Sequence, residues 1–435
     1  LFLLTALVQA PSEPALLLVS IDGLRPDTVL EADRYGLKIP RLRKILAEGA
    51  HARGVRGVLP TVTYPSHTTL LTGVWPAKHG INSNVAFDPL DRNLAGWNWY
   101  AEEIHSPTLW DVAAKAGMEV GSVSWPVSVG AGSVKYLVPE YWRAPKGGDD
   151  PKLLRALSKP EGMMAEIAKT AGEYVSDLDE AEAGDRQRTR YAAWIIRTKH
   201  TRLTTVHLAS LDHLQHAGGP FSPESLATLE KIDGEVGELE DALKAVYPAA
   251  TICVVSDHGF ARTDHSLNLM PAFVEAGLVK VAGGKVVEWK AIPHVDGGSA
   301  AVVLNDESVR GQVAALLAKL AADPANGIEK VLDARDIAGL GGWTRAAFWM
   351  DMKTNFSVVA SVAAGGPQAQ VRKVGGTHGY APSHPELLAS FFIAGPGVKK
   401  GLDLGEIDMR AVAPTLAGVL GLKMESADAE AVALR

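Results

Sequence analysis

Four stretches of the chain, ALLLVSID, LTTVHLASLD, TICVVSDHG and LLASFFIAG, are apolar runs of strand length, almost unbroken in all but the second. A strand with one wet face alternates polar and apolar residues, whereas one apolar throughout belongs to a sheet covered on both faces. Between and after them come helical patterns: IPRLRKILAEG, PSHTTLLTGV as a helix start, SPTLWDVAAKAG, the long PESLATLEKIDGEVGELEDALKAV, and MRAVAPTLAGVLG. MEVGSVSW adds a further strand after the third helix. This alternation predicts an α/β fold: a doubly wound, mostly parallel central sheet with helices on both faces.

The 435 residues suffice for one large α/β domain with insertions or for two ordinary domains. We read a single catalytic domain over 14–425, with a short tail at 426–435. Two regions fit the alternation less well and read as insertions that could cover the mouth of a site. One, about 83–200, is rich in Trp, Gly and Pro before a charged helical stretch. The other, about 262–375, contains GGKVVEW and VVASVAAGG. Residues 1–13 read as the remnant of a secretory signal and its lead-in, because LFLLTALVQA is apolar, ends in a small residue and is too short to span a bilayer. That reading places the protein in a periplasm or outside the cell; a buried first strand is the alternative.

Hydrophobic residues at 47% and charged ones at 21% are the balance of a globular protein and argue against disorder or a membrane-spanning protein. The net charge of −7 and the lack of a long Lys/Arg run argue against polymeric nucleic acid as the main partner. An anionic small-molecule substrate would need a bound cation or a few well-placed donors. Cys253 is the only cysteine, so no intramolecular disulfide forms; in TICVVS it reads as a buried hydrophobe.

In parallel α/β sheets, ligands bind outside the carboxyl ends of the strands. Asp22 ends the first run, Asp212 the second, and Asp257 with His258 the third. One such Asp is ordinarily a cap or turn former. Three at corresponding ends, two followed closely by histidine, point to a metal site. The spacing Asp212-x-x-x-His216 puts both side chains on one face if a helical turn follows the strand. Oxygen and nitrogen ligands without thiolate suit Zn²⁺ ahead of Mn²⁺ or Fe. In LPTVTYPSHTTLLTG a strand-like TVTY meets Pro65, which stands Thr63 just ahead of a helix N-terminus whose free N–H groups favour a phosphate oxygen. Thr61, Thr63 and Ser66 also fit plain capping. As a nucleophile, Thr63 needs a metal to lower its hydroxyl pKa.

SIDGLRPD, TVTYPSHTTLLTG, HGINSN, LDHLQH, SDHG and GTHGY occur in the order found in nucleotide pyrophosphatase/phosphodiesterases, members of the alkaline phosphatase superfamily. The chain resembles that family from about residue 15 to 422. The resemblance implies two zinc ions, one held by Asp212, His216 and His378, the other by Asp22, Asp257 and His258 with Thr63 as nucleophile. It implies that Asn84, in HGINSN, donates to a phosphate oxygen, forming an oxyanion site with the Thr63 N–H. The reaction implied is two in-line displacements through a phospho-threonine on a phosphodiester or nucleotide pyrophosphate. Tyr64 stands where relatives carry an aromatic that can stack on a nucleotide base, with packing an equal account. Tyr141 and Trp142 in VPEYWRAP are candidates for the opposite wall, with core packing as the alternative.

Three positions depart from the family pattern: Ser66 for Asn, Leu211 for Pro, and Ala381 for the Asp that often follows HGY. None is an expected ligand. His67 is expected to orient the Thr63 loop, and the remaining histidines, His207 and His213 included, to be structural or exposed. A phosphonoacetate hydrolase-like enzyme or phosphomonoesterase of the same superfamily would use the same metals. A basic side chain gripping the extra charge would favour it. A catalytically inactive metal-binding envelope protein is the alternative of another class, although all seven residues are present.

Overall fold

The first apolar run forms strand β1 (Leu16–Ile21), and its side chains divide between two cores. Leu17, Val19 and Ile21 face one apolar layer, and Leu16 and Leu18 face the other. Burying each such side chain contributes about 1.5–3 kcal/mol, so a strand apolar on both sides is stable only as the middle of a sandwich. The structure is a computed structural model that describes residues 13–92, 96–142, 150–174, 181–362 and 369–435. The apolar run LFLLTALVQA lies outside the described residues.

The remaining strands of the central sheet are β2 (Ala50–His51), β3 (Val120–Val123), β4 (Tyr136–Val138), β5 (Leu203–Leu208), β6 (Thr251–Val255), β7 (Phe391–Ala394) and β8 (Leu402–Asp403). Their spatial order is β8-β2-β7-β6-β1-β5-β3-β4. The five strands from β6 to β4 run parallel, and β7 is antiparallel to both β6 and β2.

Helices cover both faces. On one lie α1 (Pro40–Glu48), α4 (Glu182–Lys199) and α6 (Pro223–Val246), through residues such as Leu42, Ile195, Ile232 and Leu239. On the other lie α2 (Thr63–Thr72), α3 (Leu109–Lys115) and α7 (Val412–Val419), through Leu70, Trp110 and Leu416. Local chemistry starts these helices where the sequence changes character. Thr108 and Asp111 make a reciprocal capping box on α3, and Ser222 accepts from the Ser225 N–H just ahead of Pro223 on α6. Among the described residues, no helix is long and apolar enough to cross a membrane.

The region 83–200 is not an insertion from end to end. It contains β3 and β4, both in the central sheet, and α4, which packs against that sheet. Strands of four and three residues are too short to give a clear period in a Trp-, Gly- and Pro-rich stretch. The described strands between 262 and 375 belong to sheets other than the central one. Ala291–Val295, Ser299–Leu304, Ala346–Met352 and Ile328–Asp333 form an antiparallel sheet in that order. Ala261–Asn268 pairs with Phe356–Val359 and Ala369–Thr377 in a smaller one. The terminal segment 426–435 packs down: the Val432 N–H donates to Thr415 Oγ1 at 2.7 Å, and Val432 and Leu434 join the second core layer.

Because β6, β1 and β5 are parallel neighbours, their carboxyl ends lie side by side, roughly 4.8 Å from strand to strand. The residues just beyond those ends are therefore forced together.

Candidate metal centre and phosphate cavity

Asp22 follows β1, and Asp257 and His258 follow β6 after one residue. Beyond β5 the chain enters helix α5 (Ser210–Gly218), which puts Asp212 and His216 one turn apart on one face. Asp185 of α4 holds the start of α5, accepting from the Ala209 and Ser210 N–H groups at 2.8 and 3.0 Å. His378 arrives from the end of Ala369–Thr377, outside the central sheet. Gly375 and Gly376 permit that approach, since a Cβ on either would lie 2.6 or 2.7 Å from a carbonyl oxygen of α5.

The six side chains form one cluster. His216 Nε2 is 3.4 Å from Asp212 Oδ2, and His378 Nε2 is 3.6 Å from Asp212 Oδ1. His258 Nε2 is 3.4 Å from Asp22 Oδ1 and 3.2 Å from Asp257 Oδ2. His258 thereby stands between two groups, Asp212–His258–His378 and Asp22–Asp257–His258, each with potential ligand atoms within 4.8 Å of one another.

Hydrogen bonding fixes how these rings present themselves. In each of His216, His258 and His378, Nδ1 meets a backbone carbonyl, of Gly376, Gly259 and Thr61 respectively, at 2.9–3.1 Å. An N–H at Nδ1 leaves the Nε2 lone pair facing the cluster, the arrangement that metal-ligating histidines adopt. Burial holds His258 down to about 4 and His378 to about 3, so both rings are neutral. Burial, then the Asp257 and Asp212 carboxylates, raise Asp22 well above its ordinary value, the mark of excess negative charge in a dry site. Asp22 Oδ1, Asp212 Oδ1, Asp257 Oδ2 and His258 Nε2 are buried without a hydrogen-bond partner. Orphaned atoms of ligand type facing one another fit bound cations, which would satisfy all four.

Thr63 opens α2 as its first residue, after extended Val62. The strand-like reading of TVTY is thus corrected. Its three β-branched residues mimic a strand, but Pro65 falls in the first helical turn, where no N–H is needed. The Tyr64 N–H donates to Asn84 Oδ1 at 2.8 Å, which turns the Asn84 amide nitrogen the other way as a donor. With Tyr64 engaged and Pro65 lacking an N–H, the Thr63 N–H is the remaining donor of the first three residues of α2. Thr63 and Asn84 line a cavity of about 310 Å³ together with Asp22, Asp212, His216 and His378. His67 does fix the Thr63 segment: Nδ1–H donates to the Thr63 carbonyl, and Nε2 accepts from Ser20, both at 2.8 Å.

The family described as Type I phosphodiesterase / nucleotide pyrophosphatase matches residues 16–381, most of the chain. The chain belongs to that family. It is 25% identical over 256 residues to human ectonucleotide pyrophosphatase/phosphodiesterase family member 1, covering 57% of this chain and 23% of the relative. To human family member 5 it is 25% identical over 269 residues, covering 60% and 48%. The matches thus span less than half the length of either relative. Murine ectonucleotide pyrophosphatase/phosphodiesterase 5, solved as an inactive variant in complex with AMP, shares the fold at TM-score 0.66 and 20% identity, covering 97% of each chain.

Within this phosphodiesterase-family chain, two of the three candidate aromatics, Tyr64 and Tyr141, lie away from the cavity, and the third, Trp142, lines it. Tyr64 is fully buried, its hydroxyl donating to Glu140 Oε1 at 2.7 Å and its ring edge-on to Trp97. Side chains on a helix follow its turn, and Thr63 and Tyr64 cannot both face the cavity. Tyr141 packs on Trp99, centroids 5.0 Å apart, and does not line the cavity; Trp97 and Trp142 do.

Two polar residues at the cavity, Glu140 and Arg188, were not singled out in the sequence, and His207 and His213, expected to be structural or exposed, line it as well. His207 Nε2 lies 2.9 Å from Asp22 Oδ2, and its Nδ1 lies 2.9 Å from Glu140 Oε2 and 3.1 Å from the Ser124 carbonyl. Burial lowers its pKa, but the bonds to Asp22 and Glu140 outweigh it and raise it to about 10. An imidazole inside a buried parallel strand was the available signal, since it must find partners there. Arg188, buried and paired with Asp185 at 2.8 Å, gave none, because a charged helical stretch reads first as a solvated face.

Proposed function

We propose that the protein is a two-zinc phosphodiesterase or nucleotide pyrophosphatase acting through a covalent phospho-threonine on Thr63. The observation that carries this reading is that Thr63 and Asn84 share one cavity with the carboxylate–imidazole cluster, whose Nε2 atoms face inward. Asp212, His216 and His378 would hold one Zn²⁺, and Asp22, Asp257 and His258, with Thr63, the other. Bound there, zinc would supply the positive charge that lowers the pKa of the Thr63 hydroxyl and steadies the leaving oxygen.

The chain's own groups do the rest. Thr63 Oγ1 forms a bond to phosphorus as the bond to the leaving alcohol or nucleotide breaks. Water then cleaves the Oγ1–phosphorus bond and restores the hydroxyl. Through both steps the Asn84 amide and the Thr63 N–H donate to a non-bridging oxygen. The substrate is a small phosphodiester or nucleotide, and export is part of the reading, in keeping with relatives whose names mark them as ectoenzymes.

One observation favours a second reading. Arg188 lines the same cavity and is the kind of basic side chain that a monoester or phosphonate would engage. The deciding experiment compares an aryl phosphodiester, an aryl monoester and a nucleoside-phosphate aryl ester, with wild type and Thr63→Ala loaded with zinc. Diester preference and its loss in Thr63→Ala support the first reading; monoester preference supports the second. Undiminished hydrolysis by Thr63→Ala overturns the covalent mechanism, and an inert wild type points to a metal-binding protein without catalysis.

A further inference from the structure

A chain of hydrogen bonds, buried from the Tyr64 hydroxyl onward, runs from the phosphate-donor side of the cavity to its ligand side. It starts at Asn84 Oδ1, which accepts the Tyr64 N–H at 2.8 Å. The Tyr64 hydroxyl donates to Glu140 Oε1 at 2.7 Å, while the other oxygen of Glu140 meets His207 Nδ1 at 2.9 Å. The far nitrogen of His207 meets Asp22 Oδ2 at 2.9 Å. Tyr64 is fully buried, and His207 and Glu140 are 2% and 6% exposed.

The arrangement is costly for a role in packing alone. A carboxylate taken out of water is destabilising unless it is paired, and hydrophobic residues of the same volume would fill the space at least as well. Glu140 sits at the fork of the chain: one oxygen fixes the ring of the residue whose N–H holds Asn84, and the other fixes His207. His207 in turn occupies one oxygen of Asp22, leaving Oδ1, the oxygen without a hydrogen bond, to face His258.

We propose that Glu140 and His207 are positioning residues that hold the phosphate donor Asn84 and the ligand Asp22 in a single frame around Thr63. This rests on the metal-dependent reading above, and it assigns a shared buried carboxylate as the part that keeps the two halves of the site in register. Neither residue touches the reacting atoms. Each acts through the one it holds.

Three conservative variants cut the chain at different links. His207→Asn keeps a donor towards Glu140 but cannot reach Asp22. Tyr64→Phe removes the hydroxyl link and leaves His207 on Asp22. Glu140→Gln keeps shape and volume but sets an amide N–H against a donor. Zinc affinity of the metal-free protein is read by competition with a chromophoric chelator, and kcat and KM are read on a bis-aryl phosphate.

His207→Asn is expected to weaken zinc binding about 10- to 100-fold, as loss of a group that orients a ligand does. Tyr64→Phe is expected to keep zinc affinity and lose roughly 10-fold or more in kcat with little change in KM. Glu140→Gln is expected to show both effects. If His207→Asn and Glu140→Gln fold with wild-type near-ultraviolet circular dichroism and keep both zinc affinity and kcat, the frame is only core and the proposal is overturned. Loss of zinc affinity in His207→Asn with wild-type kcat in Tyr64→Phe and Glu140→Gln also overturns it, because the halves are then uncoupled. Should His207→Asn not fold, His207→Ser, whose hydroxyl also falls short of Asp22, tests the same link. If the wild type hydrolyses no phosphodiester, the catalytic reading fails by itself, and the zinc measurement still decides whether His207 positions Asp22.

Discussion

The imidazoles of His258 and His378 lie face to face, ring centroids 3.7 Å apart and planes 10° from parallel. Two imidazolium ions so placed would repel each other, and burial keeps both rings neutral with lone pairs towards the carboxylates. Chelation of metal should therefore abolish hydrolysis of a bis-aryl phosphate, and added zinc should restore it. Free zinc at a hundred times its Kd should stabilise the fold by about 2.7 kcal/mol, read as a shift in the urea midpoint. A midpoint that ignores zinc and chelator alike would contradict a metal centre at this cluster.

Trp142 and Trp97 line the cavity, with ring centroids 5.0 Å apart, whereas Tyr64 lies buried beneath. Trp142→Ala should raise KM for a nucleoside-phosphate aryl ester by roughly five- to a hundred-fold, since stacking on a base contributes about 1–3 kcal/mol. A simple aryl diester should change far less. Tyr64→Ala should instead cost about 3–5 kcal/mol of stability, as loss of a buried aromatic does. Equal effects of Trp142→Ala on both substrates would remove the stacking role.

Gly376 lets the strand Ala369–Thr377 lie against α5, where a Cβ would meet the Gln215 carbonyl oxygen at 2.7 Å. The same glycine's carbonyl accepts the Nδ1–H of His216. Gly376→Ala should therefore destabilise by about 1–3 kcal/mol and also weaken zinc binding, because His216 moves with the strand. Gly311→Ala, in the helix Arg310–Ala322 with no atom near the new Cβ, should leave zinc binding unchanged and stabilise by about 0.5–1 kcal/mol. Matching zinc affinities in both variants would show that the close approach does not tune the site.

His384 Nε2 donates to Asp351 Oδ2 at 2.7 Å, and Asp351 Oδ1 accepts the Ala381 N–H. Burial lowers the His384 pKa, but the bond to Asp351 outweighs it, and the folded-state value is raised. A raised histidine contributes stability that is fully present below its unfolded pKa of about 6.5 and is lost as pH climbs through the folded value. The stability gap between wild type and His384→Gln, from urea unfolding across a pH series, should be widest in acid and close on the alkaline side. A gap that widens with pH would refute this sign.

The doubly wound sheet was legible because the runs of β1 and β6 are apolar on both faces, a pattern that only a covered sheet explains, while the run of β5 is of strand length but carries Thr204, Thr205 and His207. Asp22, Asp212, Asp257 and His258 were legible because they stand where those runs stop, and His216 because a four-residue spacing is one helical turn. The short strands β3 and β4 were hidden in a region of mixed composition. Glu140 and Arg188 were hidden because an isolated charge in a sequence carries no sign of the partner that allows its burial.

By itself, the sequence determined the layered fold and placed ligand-type residues at the ends of neighbouring strands, since hydrophobic periodicity and strand ends are local properties. Tertiary structure alone decided which nitrogen of each histidine faces the cluster, that Tyr64 turns inward while Trp97 and Trp142 line the cavity, and that Glu140 and His207 bridge Asn84 to Asp22. The physical reason is that a hydrogen bond has a length and a direction. Partners such as Tyr64 and Glu140, or His207 and Asp22, lie far apart in the chain and meet only after the sheet has brought them within 3 Å.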